Sequence, residues 1–199
     1  MSTRLVFLLI VVAALGCQDQ NRSAQTPAPP PTAVDSAVPR DEALRRFRDG
    51  LDSLDELTDG ASSRDELIGR FMEAVERADT AELRRLTLTQ REFAWIYYPT
   101  TPQGLPPYDL APGLMWFMLE TRGRTGLAKL MQERGGQPAK FVRSECDPDP
   151  SREGDNLVWG PCAIVRRQPR GDVVTERWFG PIIERRGRFK FINYANKLD

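Results

Sequence analysis

Apolar residues follow three successive patterns along the chain. Leu5 to Leu15 is an uninterrupted apolar run directly after Arg4; it is too short for a membrane-spanning helix, which takes about 20 apolar residues. From Asp41 the apolar positions recur at threes and fours, the helical period. Leu44, Phe47, Leu51, Leu54 and Leu57 predict one amphipathic helix from Asp41 to Thr58, weakened by Gly50 and closed by Asp59-Gly60. Ser63-Arg64-Asp65-Glu66 is a capping box, in which a hydroxyl and a carboxylate three residues apart satisfy free backbone N–H groups. It opens a helix with Leu67, Ile68, Phe71, Met72 and Val75 on one stripe. Asp79 to Glu82 and Thr89 to Glu92 repeat the spacing ahead of two shorter helices, the second stopped by Pro99. Thr100 to Pro112 reads as loop. Gly113 to Arg134 reads as a helix ended by Gly135-Gly136, with Gly123 and Gly126 as points where it would break in two.

From Ala139 the period changes to two. β-Branched and aromatic residues alternate over Lys140 to Cys146, Leu157 to Arg167, Val173 to Glu184 and Arg188 to Ala195, which predicts four strands. Arg185-Arg186-Gly187 suits a tight hairpin between the last two. Helices first and sequential strands afterwards imply an α+β fold, its helices packed on one face of an antiparallel meander.

Residues 62–199 resemble the NTF2-like, or SnoaL-like, family on two stretches. Arg64-Asp65-Glu66-Leu67-Ile68-Gly69-Arg70-Phe71 leads through Ala78-Asp79-Thr80-Ala81-Glu82-Leu83, a helix, a break and a second short helix; Gly187-Arg188-Phe189-Lys190-Phe191-Ile192 is similar to a closing strand of that family. The resemblance implies a cone, with a curved antiparallel sheet of about four strands wrapped around N-terminal helices. It also implies that carboxylates and tyrosines placed inside such a cone can serve isomerase, dehydratase or hydrolase chemistry. The stretch from Trp95 to Trp116, rich in aromatics and proline, departs from the family pattern.

The N-terminal run gains meaning from its ends. Arg4, the apolar segment and Ala14-Leu15-Gly16-Cys17 have the three parts of a secretory signal. A cysteine just after the cleavage point resembles a bacterial lipoprotein signal, which implies removal of residues 1–16 and lipidation of Cys17. Gln18 to Arg40 carries five prolines and almost no apolar bulk; it cannot bury a core and suits an extended spacer between membrane and domain. The expected organisation is therefore signal peptide 1–16, lipidated cysteine and linker 17–40, amphipathic helix 41–61 and α+β domain 62–199. Gln18 stands where an aspartate would favour inner-membrane retention, so the expected place is the cell envelope, on the outer rather than the inner membrane.

Composition narrows the chemistry. There is no histidine, which excludes Ser-His-Asp and Cys-His nucleophilic sites, histidine metal centres and histidine proton shuttles. The 28 basic residues include only four lysines, Lys129, Lys140, Lys190 and Lys197. Guanidinium forks suit anion recognition, and codon bias would produce the same excess of arginine. Basic and acidic residues balance at 28 each, so no overall field attracts nucleic acid or an anionic surface. No cofactor is expected. The membrane, through the lipid anchor, and a small apolar ligand or envelope protein are the expected partners.

Once Cys17 is lipidated, Cys146 and Cys162 are the remaining thiols. Each lies eight residues from Gly154, so a hairpin centred there sets them opposite one another. A disulfide closing that loop would contribute roughly 3 kcal/mol; reduced buried cysteines and a two-thiol metal site are the alternatives. Between them, Asp147, Asp149 and Ser151 occupy the first positions of a calcium loop, but Arg152 and Val158 stand where glycine and glutamate are required, and no metal is expected.

Phe93, Trp95, Tyr97, Tyr98, Tyr108, Trp116 and Phe117 crowd one stretch. Spacing assigns Phe93 and Phe117 to the core. Tyr97, Tyr98, Tyr108 and Trp116 are the candidate ligand-binding residues, since aromatics with polar tips grip apolar or glycan ligands. For an enzyme, Glu92 and Asp109 with Tyr97 or Tyr108 are the candidate catalytic groups. The preferred expectation is a non-catalytic binding module.

Overall fold

A computed structural model of the chain describes residues 38–198. The signal segment, Cys17 and most of the linker lie outside the described residues. Helix α1 spans Arg40–Phe47, much less than the expected 41–58. Gly50 takes the left-handed conformation, φ 76°, and the chain beyond it runs irregularly to Asp59. Helix α2 (Arg64–Glu76) starts where Ser63 Oγ accepts from the Glu66 N–H, and α3 (Thr80–Arg85) where the Asp79 carboxylate accepts from Glu82 N–H at 2.9 Å. Thr89 and Glu92 form a reciprocal capping box at the single turn α4 (Gln90–Glu92). The chain then widens into a π-helix, Phe93–Tyr97, with Tyr98 N–H reaching Phe93 O at 2.8 Å. Helix α5 (Pro112–Arg134) is continuous through both glycines.

The four strand runs become seven strands in two antiparallel sheets. One sheet has the order β1 (Phe141–Cys146), β4 (Cys162–Arg167), β5 (Val173–Glu176); the other has β2 (Ser151–Glu153), β3 (Asn156–Trp159), β6 (Ile182–Arg185), β7 (Arg188–Phe191). This corrects the expectation of a single curved sheet of about four strands. Two Gly-Pro pairs make the division. Gly160-Pro161 separates β3 from β4 and Gly180-Pro181 separates β5 from β6, because proline cannot donate to a ladder. The breaks lie side by side: a Cβ on Gly160 would be 3.4 Å from Pro181 Cα. The final hairpin turns on Arg186 and Gly187, both at positive φ, as a tight two-residue turn requires.

Cys146 and Cys162 are directly paired across β1 and β4 and form a disulfide. The β2–β3 hairpin turns at Gly154-Asp155, and its register continued outward would carry Cys146 opposite Ala163; the observed pair belongs to the β1–β4 ladder of the other sheet, one residue out of step.

Two apolar clusters make the interior. The first gathers around Phe71, whose ring lies 5.1 Å from Phe179, 5.3 Å from Phe191 and 5.7 Å from Tyr194. The second holds Leu44, Leu57, Leu88, Phe93, Ile96, Tyr97, Tyr98, Met115, Ile183 and Ile192. Glu92, 0% exposed, and Lys190, 1% exposed, form a fully buried ion pair. Lys190 Nζ donates to both Glu92 oxygens, at 3.0 and 2.8 Å. Thr58 N–H and hydroxyl donate to Oε1 at 2.8 and 2.9 Å, and Thr89 N–H and hydroxyl to Oε2 at 2.7 and 3.0 Å.

A second buried carboxylate, Glu176, accepts from Arg166 Nε and Nη2 (both 2.9 Å), Trp178 Nε1 (2.6 Å) and Arg134 Nη2 (3.0 Å). Burial acts to raise its pKa, but the hydrogen bonds from Arg166, Trp178 and Arg134 outweigh it and hold the carboxyl at about 2.

Two outcomes follow from these carboxylates. Lys190→Met strands a buried charge and should cost about 3–5 kcal/mol in urea denaturation, while Glu92→Gln/Lys190→Met should lose clearly less than the two single changes summed; a Lys190→Met protein as stable as the parent would refute the role. For Glu176, a folded-state pKa of about 2 against an ordinary 4.5 means that its stabilisation is full above pH 4.5 and is lost as pH falls toward 2. The stability gap between the parent and Glu176→Gln should therefore shrink across that window; a gap independent of pH would be the contrary result.

Candidate functional site

Helix α5 links the two clusters. Met115, Trp116 and Leu119 pack with the second, and Leu127, Leu130 and Met131 with the first. The helix is drawn against the C-terminal segment at Gly126, where a Cβ would overlap the Tyr194 carbonyl. Asn196 Nδ2 donates to Gly126 O at 2.6 Å and Lys129 Nζ to Leu198 O at 3.1 Å. The glycine that the sequence marks as a breaking point thus serves close approach, since only a missing side chain lets the backbones meet.

Beside this helix runs an open groove of about 690 Å³. One wall is α5, through Trp116, Leu119, Gly123 and Leu127 to Met131; the other is Thr80, Arg84 and the link Thr87 to Gln90. Ile192, Asn193 and Tyr194 form the floor. No strand residue lines it, so the cavity lies beside the sheets and not within a cone. Trp116 to Met131 spans roughly 22 Å of helix at 1.5 Å per residue. The volume is in the range of small-molecule sites, about 300–1,000 Å³. At Gly123 the helix lies close to the floor: a Cβ there would meet Asn193 Cβ at 3.5 Å, an ordinary contact that a small side chain could make.

The lining is poor in reactive groups. Tyr194 donates to Leu83 O at 2.6 Å, and burial, with Glu82 adding to it, pushes its phenol well above the ordinary value, so it stays neutral. Thr87 Oγ1 donates to Arg84 O at 3.0 Å, and the Thr89 hydroxyl is held by Glu92. Glu120 is the one carboxylate among the described lining residues, with Oε1 3.9 Å from Arg124 Nε. The arrangement suits binding of an apolar body between polar rims.

Of the candidate ligand-binding and catalytic residues, only Trp116 lines the groove; its ring lies 5.3 Å from that of Phe93. Tyr97 and Tyr98 are buried, because π-helical winding turns Phe93, Ala94, Ile96, Tyr97 and Tyr98 all inward. Burial pushes the Tyr97 phenol up to about 12. The Tyr98 hydroxyl donates to Leu110 O at 2.8 Å. Tyr108 is 70% exposed on the loop, and Asp109 beside it is exposed with φ 42°. Glu92 is enclosed in its ion pair. The structure therefore brings no two of Glu92, Asp109, Tyr97 and Tyr108 into a shared cavity.

Phe117, expected in the core, is 60% exposed, as is Leu114 at 51%. Both lie on the face of α5 turned away from Met115, which the period alone did not distinguish. Leu119, Leu127, Met131, Ile192 and Tyr194 were read from sequence only as apolar helix and strand positions. One signal pointed to them: the apolar residues of Gly113 to Arg134 are too many and too widely spread for a single buried stripe.

Among the described residues no helix is long and apolar enough to cross a membrane. Comparison with protein-family models, with curated proteins and with solved structures finds no match, so the functional reading rests on the chemistry of the groove.

Proposed function

We propose that this chain is an exported lipoprotein, anchored in the cell envelope through Cys17, whose folded domain is a non-catalytic binding module for an elongated apolar ligand of the acyl-chain type. The observation that carries the reading is the groove along α5: open, about 690 Å³, with a floor and wall formed mainly by Leu88, Trp116, Leu119, Leu127, Met131 and Ile192. Arg84 and Arg124 among the polar lining residues suit a carboxylate head. The reading requires no hollow cone. A catalytic role has less support, because Glu92 has all its acceptor positions engaged and Asp109 lies in solvent. The sequence supports the anchor: a signal ending at Cys17 and a proline-rich spacer of the kind that holds a domain off a surface.

Palmitate should bind the chain in the micromolar range, read by a change in Trp116 fluorescence that Trp116→Phe removes. Gly123→Ala should weaken the binding and Gly123→Leu abolish it with the fold intact by circular dichroism. Palmitate affinity indifferent to the size of residue 123 would remove the groove from the reading. For the anchor, Cys17→Ser should move the exported chain from the membrane to the soluble fraction of fractionated cells; unchanged membrane association would return Cys17 to an ordinary position after a cleaved signal.

A further inference from the structure

A second cavity, of about 230 Å³, lies where the end of α5 meets β4. Its lining is unlike that of the groove: Arg134, Lys140, Arg166 and Arg167 stand around it with Gln137 and Trp178, and no carboxylate is among the described lining residues. We propose that this pocket is a binding site for a small dianionic oxyanion of the phosphate class, free phosphate or a phosphomonoester. The inference is independent of the apolar groove.

Three observations converge on it. The first is charge. Glu176 lies behind the pocket, 6% exposed, and one carboxylate is shared by two guanidiniums, Arg134 and Arg166. Lys140 and Arg167 add two further cations, and among the described residues neither is in an ion pair. Glu133, 3.9 Å from Arg134 Nη1, and the carbonyl end of α5 oppose an anion, but four cations remain against two carboxylates.

The second is an unmet donor. Arg134 Nε is buried with no acceptor among the described residues, although Arg134 Nη1 donates to Glu133 O at 3.2 Å and Nη2 to Glu176. A buried N–H left without an acceptor is costly, so the wall at Arg134 is short of acceptors, although Nε itself has no exposed surface for a ligand to reach. The third is geometry. Glu176 fixes two of the three guanidiniums by hydrogen bonds of 2.9 to 3.0 Å, so they need no reordering to meet a ligand. Arg166 spends its Nε and Nη2 on Glu176, and Arg167, with only Nη1 engaged, on Gly171 O, keeps the fork whose spacing matches phosphate oxygens. The volume of about 230 Å³ equals roughly eight waters at 30 Å³ each, room for one phosphate group with a few waters.

The test is calorimetric titration of the chain with inorganic phosphate and with glycerol 3-phosphate at matched chloride ionic strength. Saturable binding below about 1 mM is expected. Lys140→Ala/Arg167→Ala should weaken it at least about tenfold without changing the unliganded melting temperature, since neither residue holds Glu176. The single variants Lys140→Gln and Arg167→Gln should each weaken it less. Tighter binding of glycerol 3-phosphate would identify the esterified form, and tighter or equal binding of inorganic phosphate the free ion. Absence of saturable binding to the parent chain, or full affinity in the double variant, would overturn the site.

Discussion

The buried pairing of Glu92 with Lys190 is the constraint on which the rest of the fold depends. Each Glu92 oxygen accepts from a threonine N–H, that threonine's hydroxyl and the Lys190 ammonium, so one carboxylate ties together three segments distant in sequence: the irregular chain at Thr58, the turn at Thr89 and strand β7. An unpaired charge at that depth would be costly, so the three segments are held to one arrangement. The same strand meets the chain above it through Leu88 N–H to Phe191 O at 2.9 Å and Phe191 N–H to Leu86 O at 2.9 Å. The polar network and these backbone bonds together place the α3–α4 link over the floor at Ile192 and Tyr194, and so set one wall of the groove.

The opposite wall depends on a small residue. Gly126 lets α5 touch the backbone at Tyr194, while at Gly123, one turn earlier, a Cβ would meet Asn193 and Tyr194 in ordinary contact. Two glycines that look equivalent in sequence therefore differ in degree: a side chain fits at the first and is excluded at the second. The side-by-side Gly-Pro breaks do comparable work in the strands, ending two ladders at one level and dividing the strands into two sheets.

The two cavities differ in the chemistry of their walls, and that difference follows from which side chains each element could bury. Beside α5 the packing leaves apolar side chains half covered. At the end of α5 the packing gathers more guanidinium groups than carboxylates. The groove's neighbours are held by the two cores, whereas Lys140 and Arg167 at the smaller cavity are exposed.

Much of this was legible in the residues. The threonine, aspartate and serine caps started helices where their three-residue spacing to glutamate said they would, because capping is settled within one turn of chain. The Cys146–Cys162 pair was legible as two thiols equally far from a turn near Gly154, although its exact register belongs to the β1–β4 ladder and not to the β2–β3 hairpin. The α+β order followed from the change of period near Ala139. What tertiary structure alone decided were matters of contact between distant segments: that Gly50 and the tie from Thr58 to Glu92 end α1 early, that π-helical winding buries Tyr97 and Tyr98 while Phe117 faces out, and that Glu92 meets a lysine nearly a hundred residues away. Periodicity reports how a segment winds, and capping and turn residues report where it stops. Neither carries information on which partner a buried charge finds or on which side of a helix space is left unfilled.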